Sequence, residues 1–571
     1  MTKNLNKGSI NTIKQLPIGI SDFKELIKEN YHFIDKSSFI KDIINDGSKV
    51  IVITRPRRFG KTLNMSMLMY FLQQGEENLF ANLLVSKDKE FCKKHQNQYP
   101  IIFISFKEVR QDSFAEAYSY ITTLISNVYK THRYLLDDNL LFDDEKNIFN
   151  KIINREAIES DIVNSLSQLS EYLERNFQKK PIILIDEYDT PIQTAYLKNY
   201  YEPMIGVMRG ILGAGLKDNK LLGKAVITGI TRVAQESLFS GVNNLEIYSL
   251  LREEYGQYFG FAEAEVEKLI KDIGQKISIK GIKEWYNGYQ IGKHILYNPW
   301  SIINCLKNNG KLQPYWLGTS SNALIHELLN NSTPIIKQQF EYLLQNGVVE
   351  QPLLENLVFP DLKKKAGALW SLLLYAGYLN VLSTERRGHL LMAKISIPNK
   401  EVMYVYDEIV EQWFSDTISL ESYISLTRSL SKGDIETFKR RLSEYLLQTA
   451  SYFDFNANTP ESVFHSFILG LVVGLKDDYI IGSNQEAGLG RVDVMFIPKD
   501  KNKNGIILEF KVSDSTGNLV SKAREALEQI KCKEYIQTLK QHKISYAFLI
   551  GLAFYGKQVE MVYEKEFIDL P

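Results

Sequence analysis

The chain has 571 residues, 44% of them hydrophobic and 24% charged, a globular composition that argues against long disordered tracts and is too long for one core. Its 68 basic and 68 acidic residues leave a formal net charge of zero, so no global field draws it to nucleic acid or an anionic membrane; such binding needs a local patch. Three dispersed cysteines, Cys92, Cys305 and Cys532, argue against a disulfide framework or a CxxC zinc cluster and suit a reducing cytosol.

The first residues, "MTKNLNKGSINTIKQL", lack the apolar core of a signal peptide, and the longest apolar stretch, "VFHSFILGLVVGL" from Val463, is too short to span a bilayer. A soluble, cytoplasmic protein without membrane contact is expected. Four apolar runs follow in order: "VIVIT" from Val50, "IIFISF" from Ile101, "IILIDE" from Ile182 and "AVITGI" from Ala225. Separated by helix-like stretches, they read as buried parallel strands of an α/β sheet with crossover helices.

After Tyr255 come helix-patterned segments dense in Tyr and Trp, including "IKEWYNGYQIG" and "LWSLLLYAGYLNVL", as far as about Phe414. They predict a mainly helical middle region, for which a winged-helix-like lid is one reading. From about Asp434 the texture changes to two helical stretches, a hairpin-like pair "RVDVMFIPKDKNKNGIILEFKV", a long polar helix and a last pair of strands. The expected division is a tail over 1–15, an α/β domain over 16–255, a middle domain over 256–430 and a third domain over 431–571.

The first chemical signal is "VIVITRPRRFGKTLNMS". In a phosphate-binding P-loop, backbone N–H groups and a helix N-terminus cradle the phosphates, a lysine neutralises them and a Ser or Thr hydroxyl meets Mg²⁺. Gly60, Lys61 and Thr62 supply the last half of that design, between a buried strand and a helix beginning near Leu63. The glycine usual at its head is Arg55, and the loop runs on through Arg57, Arg58 and Phe59, whose arginines would offer added charge to phosphates.

The partner signal is "PIILIDEYDTP", where Asp186 at a strand end would hold Mg²⁺ and Glu187 would orient the attacking water. After the next strand, "AVITGITRVAQES" offers Thr228 or Thr231 to a γ-phosphate or the water, and Arg232 to the charge of the transition state. Arg232 acting on a neighbouring subunit would imply a ring or dimer.

The segments "LPIGISDFKELIKENYHFIDKSSFI", "RPRRFGKT", "LIDEYDTP", "ITGITRVAQESLFSGVNN", "WYNGYQIG", "YNPWSI" and "YWLGTSSN", over about 16–330, resemble the AAA-ATPase-like family of bacterial proteins. In that family the loop similarly begins Arg-Pro, so the resemblance makes Arg55 a family trait and implies a P-loop NTPase that binds ATP. It also implies kinship with signal-transducing ATPases whose sensor strand ends in Thr-x-Arg, matched here by the adjacent Thr231 and Arg232, or by Thr228 at longer spacing. Asp35 and Lys36 match the family's N-terminal motif and would lie near the adenine, unless Asp35 is a helix cap.

The second signal is "IILEFKV". Strand alternation puts Glu509 and Lys511 on one face, and pairing with "RVDVMFI" brings Asp493 alongside. Two carboxylates and a lysine suit metal-dependent phosphodiester hydrolysis, with Asp493 and Glu509 holding Mg²⁺ and Lys511 steadying the water or the developing charge. Glu461 would add a third carboxylate, and His465 falls one turn later on the same helix face.

"PESVFHSFILGLVVGL", "SNQEAGLGRVDVMFI", "IILEFKV", "AREALEQIKCKEYIQTL" and "IGLAFYGKQVEMVYEK" resemble the PD-(D/E)XK nuclease superfamily over about 435–568, in the branch fused behind AAA-ATPase-like domains. Glu461, Asp493, Glu509 and Lys511 fill its acidic and lysine positions, Gln529 matches a position on the following helix, and Val492 replaces the usual proline. The resemblance implies a restriction-endonuclease-like α/β fold with a mixed sheet.

Arg491, Lys499, Lys501, Lys503, Lys522, Arg524, Lys531 and Lys533 would track a phosphate backbone without reading sequence. The expectation is ATP-controlled, Mg²⁺-dependent cleavage of nucleic acid, DNA first, with a role in mobile-element control or defence by analogy. Its rival is an ATP-dependent switch or scaffold whose nuclease-like domain binds without cutting.

Overall fold

Five strands, Val50–Thr54 (β1), Ile101–Ser105 (β2), Ile182–Asp186 (β3), Lys224–Gly229 (β4) and Leu245–Tyr248 (β5), form a parallel sheet in the order β2-β3-β4-β1-β5. Every residue of β1 and β3 is buried, as Val/Ile runs covered by helices on both faces require. The four expected strands are present. The fifth, β5, was not anticipated because "LEIY" is short, carries Glu246 and occupies the sheet edge.

The computed structural model describes residues 14–75, 79–137, 140–217, 219–231, 245–316, 328–329, 332, 334–344, 347–363, 365–406, 420–448, 468, 475, 478–487 and 490–569. The chain divides into two compact units, Met1–Ser321 with Glu350–Glu401, and Asn322–Val349 with Val402–Pro571. Among the described residues no helix is long and apolar enough to cross a membrane.

Register in the first unit decides where chemistry can occur. Ser105 pairs with Asp186 and Thr54 with Gly229, so the carboxyl ends of four strands finish in one row. That edge is where open parallel sheets bind ligands. Beyond the sheet, the helices Glu263–Asp272, Ile279–Tyr286 and Pro299–Lys307 share a core that includes Val266, Ile282, Tyr286 and Ile302. A hairpin of Tyr289–Ile291 (β6) and His294–Leu296 (β7) lies between the last two helices.

The middle stretch is less helical than its sequence suggests. Val349–Leu353 (β8), Asn380–Arg387 (β9) and Leu390–Ser396 (β10) make a three-stranded sheet in the order β8-β10-β9. "LWSLLLYAGYLNVL" starts as the helix Ala366–Ala376, which Gly377 ends at φ +90°, and its tail continues as β9.

In the second unit the helices Leu420–Lys432 and Ile435–Gln448 precede a sheet of Tyr479–Ala487 (β11), Gly490–Pro498 (β12), Gly505–Val512 (β13), Tyr546–Tyr555 (β14) and Gln558–Phe567 (β15). The strands lie in chain order; β13 and β14 are parallel and the other neighbours antiparallel, giving the expected mixed sheet. A parallel pair needs a crossover, supplied by the helix Leu519–Cys532. Its buried stripe, Leu519, Ala523, Ala526, Leu527 and Ile530, faces the sheet. Contact is close at Gly551 of β14, where a β-carbon would stand 2.1 Å from the Ala523 carbonyl oxygen and 2.6 Å from the Leu527 nitrogen.

Candidate functional site

The loop leaving β1 turns through left-handed backbone at Arg58 (φ +66°) and Gly60 (φ +82°), and Gly60 caps the helix Lys61–Leu72. A positive φ suits glycine at position 60. The turn carries Lys61 into the row of strand ends, where its buried ammonium donates to the Arg55 and Pro56 carbonyls at 3.1 Å each and lies 3.1 Å from Glu187 Oε1.

Asp186 is the centre of the arrangement. Its Oδ2 accepts from Thr62 Oγ1 at 2.9 Å and Ser105 Oγ at 3.2 Å, and its Oδ1 accepts from Thr228 Oγ1 at 2.7 Å. Burial, then the neighbouring Glu187 charge, pushes its pKa above the ordinary carboxylate value, against the hydroxyls and Lys61. The Thr62 hydroxyl and the Asp186 carboxylate are hard oxygen donors that fit a divalent cation. Glu187 follows at φ +53°, a backbone region non-glycine residues seldom adopt.

Arg55 corrects an expectation. Its guanidinium is fully buried and turned away from the phosphate position, donating to the carbonyls of Thr54 (2.8 Å), Tyr248 (2.7 Å) and Glu254 (3.1 Å) beside the Phe259 ring. Burial lowers its pKa to about 9, so it stays a cation at neutral pH. Two buried carbonyls and a third at the buried edge accept from its fork of donors.

A cleft of about 410 Å³ opens beside the loop. Arg57, Arg58, Phe59, Gly60, Lys61, Thr62 and Glu187 line it, together with apolar groups such as Leu16, Ile34, Phe261 and Trp300. Arg57 donates to Gln193 Oε1 at 3.3 Å, and Arg58 lies over the Trp300 ring, 4.4 Å from its centroid. Buried Phe59 packs edge-on against Tyr289. A buried lysine, a helix N-terminus and an apolar wall are chemistry that fits a nucleoside triphosphate.

Asp35 accepts from the Ser37 amide at 2.9 Å and the Leu84 amide at 2.6 Å, bracing the turn before the helix Ser38–Asn45, whose N-cap position is held by Ser37 and not by Asp35. Lys36 lines the cleft and bonds Glu265. The hydroxyls of Thr228 and Thr231 are engaged by Asp186 and Asp189 respectively. Arg232 lies outside the described residues.

Sequence reasoning missed Ser105, Lys107, Arg110 and Asp189. Lys107 and Arg110 reach the cleft because Phe106 and Val109 bury themselves and turn the intervening charges outward. The available signal was a charged "FKEVRQD" directly after a buried strand.

In the second unit the β12–β13 ladder runs as far as Val494–Leu508. One step beyond, Asp493 Oδ2 accepts from the Phe510 amide at 2.7 Å, and the Asp493 amide donates to Glu509 Oε2 at 3.4 Å. Side chains thus replace the next ladder bonds and gather both carboxylates. Glu509, 2% exposed, also accepts from Gln529 Nε2 of the crossover helix. Burial raises the Asp493 pKa, opposed by the Phe510 amide and Lys511.

Paired carboxylates beside a lysine fit a hard divalent cation. Glu461 and His465 lie outside the described residues, and among the described ones no group of three or more His, Cys, Asp or Glu is arranged to hold a metal ion. Of the basic residues expected to track phosphates, Lys503, Lys522 and Lys531 form surface ion pairs with Asp478, Glu525 and Glu564. Such pairs are weak and exchange readily.

Residues 17–239 match the family model described as "Predicted AAA-ATPase", and residues 459–564 match that of the PD-(D/E)XK nuclease superfamily. The chain is 26% identical to an uncharacterized protein in the vnfD 5′ region of Azotobacter chroococcum mcd 1, over 91% of this chain and 93% of that one. A Walker-type ATPase of Pyrococcus abyssi is similar in structure, with a TM-score of 0.35 and 12% identity over 65% of this chain and 93% of that one. This protein joins an AAA-ATPase-like domain to a C-terminal domain of the PD-(D/E)XK nuclease superfamily.

Proposed function

We propose that the N-terminal domain binds and hydrolyses ATP with Mg²⁺, and that its nucleotide state controls cleavage of nucleic acid, DNA first, by the C-terminal domain. The observation that carries this reading is the convergence of Lys61, Thr62 and Glu187 on Asp186 at the sheet's carboxyl edge. Lys61 and the helix N-terminus bind phosphate, Thr62 and Asp186 hold Mg²⁺, and Glu187 orients water. Mg²⁺ supplies charge neutralisation when bound.

In the C-terminal domain Asp493 and Glu509 hold Mg²⁺ and Lys511 stabilises the developing phosphate charge. Weakly paired lysines around that site hold the phosphate backbone without base readout. By analogy with its domain pairing, the protein acts in the cytoplasm on mobile DNA.

The test is cleavage of single- and double-stranded DNA and RNA by the full chain with Mg²⁺, with and without ATP, beside Lys61→Ala and Lys511→Ala. Cutting lost in Lys511→Ala, and responsive to ATP only when Lys61 is present, supports both sites and their coupling. ATP hydrolysis without cutting under any condition would replace the reading with the switch.

A further inference from the structure

Gln193, on the helix Thr190–Leu197, joins two parts of the nucleotide domain that the chain does not connect directly. Its Oε1 accepts from Arg57 Nη2 of the phosphate loop at 3.3 Å, and its Nε2 donates to Asp189 Oδ2 at 2.9 Å. The same oxygen accepts from the amides of Ile230 (3.0 Å) and Thr231 (2.8 Å) and from Thr231 Oγ1 (2.8 Å). Asp189 is fully buried, and its other oxygen, Oδ1, has no hydrogen-bond partner among the described residues.

Among the described residues one oxygen therefore carries every hydrogen bond of this carboxylate, so a shift of Gln193 is felt at Ile230 and Thr231. Tyr188 braces that segment independently, its hydroxyl donating to the Thr231 carbonyl at 2.7 Å and its amide to the Thr228 carbonyl at 3.1 Å.

We propose that Arg57, Gln193 and Asp189 form a hydrogen-bonded strut through which the phosphate loop sets the position of Ile230 and Thr231. Gln193 and Asp189 are positioning residues: an anion that draws Arg57 toward itself loosens its hold on Gln193, and the amide pair behind Asp189 responds. The response to nucleotide rests on the reading of the cleft given above, whereas the strut itself does not.

The test is hydrogen exchange of the full chain, followed at the Ile230 and Thr231 amides and, as an internal reference, at Val226 and Ile227. Without nucleotide, Gln193→Glu keeps the acceptor for Arg57 but sets carboxylate against carboxylate at Asp189. It is expected to speed exchange at Ile230 and Thr231 about tenfold, the loss of one buried hydrogen bond, with the reference amides unchanged.

Gln193→Leu breaks both links and is expected to do the same, whereas a residue that merely packs would tolerate the isosteric glutamate. Arg57→Leu is expected to give a smaller change of the same sign. Unchanged exchange at Ile230 and Thr231 in both Gln193 variants overturns the strut. If a variant lowers protection everywhere, Gln193→Asn, which shortens the link by one methylene, decides by the same comparison. Added ATP should shift exchange at the two amides in the native chain and not in Gln193→Glu; failure of the native chain to bind ATP removes the nucleotide reading and leaves the strut to the first comparison.

Discussion

Lys61 Nζ lies 3.1 Å from Glu187 Oε1, with the lysine almost wholly buried. On the proposed reading, an incoming γ-phosphate would compete with this carboxylate for the ammonium and leave the freed carboxylate to water. Lys61→Ala should weaken ATP binding about 10–100-fold. Glu187→Gln should bind ATP at least as tightly as the native chain and hydrolyse it about 10²–10⁴-fold more slowly. Nucleotide titration beside single-turnover hydrolysis checks both, and native hydrolysis by Glu187→Gln would remove its assigned role.

Arg55 ties the loop to the end of β5 and to the chain that follows it through the Tyr248 and Glu254 carbonyls. Arg55→Met leaves buried carbonyls without donors and should destabilise the domain by about 3 kcal/mol. Arg55→Lys should recover little of it, since an ammonium cannot reproduce the planar fork. Urea midpoints of the three proteins measure this, and a midpoint for Arg55→Met equal to the native one would contradict it.

Glu401 is buried and accepts from Ser301 Oγ at 2.7 Å and the Trp316 amide at 2.9 Å; burial pushes its pKa up from 4.5 to about 7. Between those values the folded chain keeps a proton the unfolded chain has released, so stability falls as pH rises through that window. The loss should be about 3 kcal/mol and complete above pH 7. Glu401→Gln should flatten the dependence, as thermal midpoints at pH 5, 6, 7 and 8 would reveal.

Gln529 Nε2 donates to Glu509, and on the proposed reading this bond would orient a metal-holding carboxylate. Asp493→Asn and Glu509→Gln should abolish cleavage, whereas Gln529→Leu should raise the Mg²⁺ needed for half-maximal cleavage about 10–100-fold. A Mg²⁺ titration separates the classes. Equal Mg²⁺ dependence in Gln529→Leu and the native chain would deny it that role.

Gly551→Ala drives a β-carbon into the backbone of the crossover helix, which cannot yield by a rotamer change. A destabilisation of about 3 kcal/mol or more is expected. Because Gly551 pairs with Glu509, metal binding should weaken in whatever fraction still folds. Thermal melts and metal titration of the variant test the two effects.

Lys61, Thr62, Asp186 and Glu187 were legible in the sequence because strand, loop and helix are local, and a parallel sheet aligns its carboxyl ends. Asp493 and Glu509 were legible because a short connection forces their strands together. The direction of Arg55 was not: its nearest acceptors include a carbonyl 193 residues away. Glu401 and Arg110 likewise gain their surroundings only from tertiary packing. β9 was hidden behind an apolar helix whose end depends on one glycine, and β5 offered too few apolar residues to stand out.

The backbone of Glu187, at φ +53°, has a consequence for evolvability. A side chain with a β-carbon costs about 1 kcal/mol in that region, which asparagine tolerates and glycine avoids. Glu187→Asn or Glu187→Gly should therefore relieve this backbone cost, set against the loss of the Lys61 ion pair, while removing the carboxylate. On the proposed reading the carboxylate that orients water stands where the backbone itself favours another residue, so local backbone ease and activity pull one position in opposite directions.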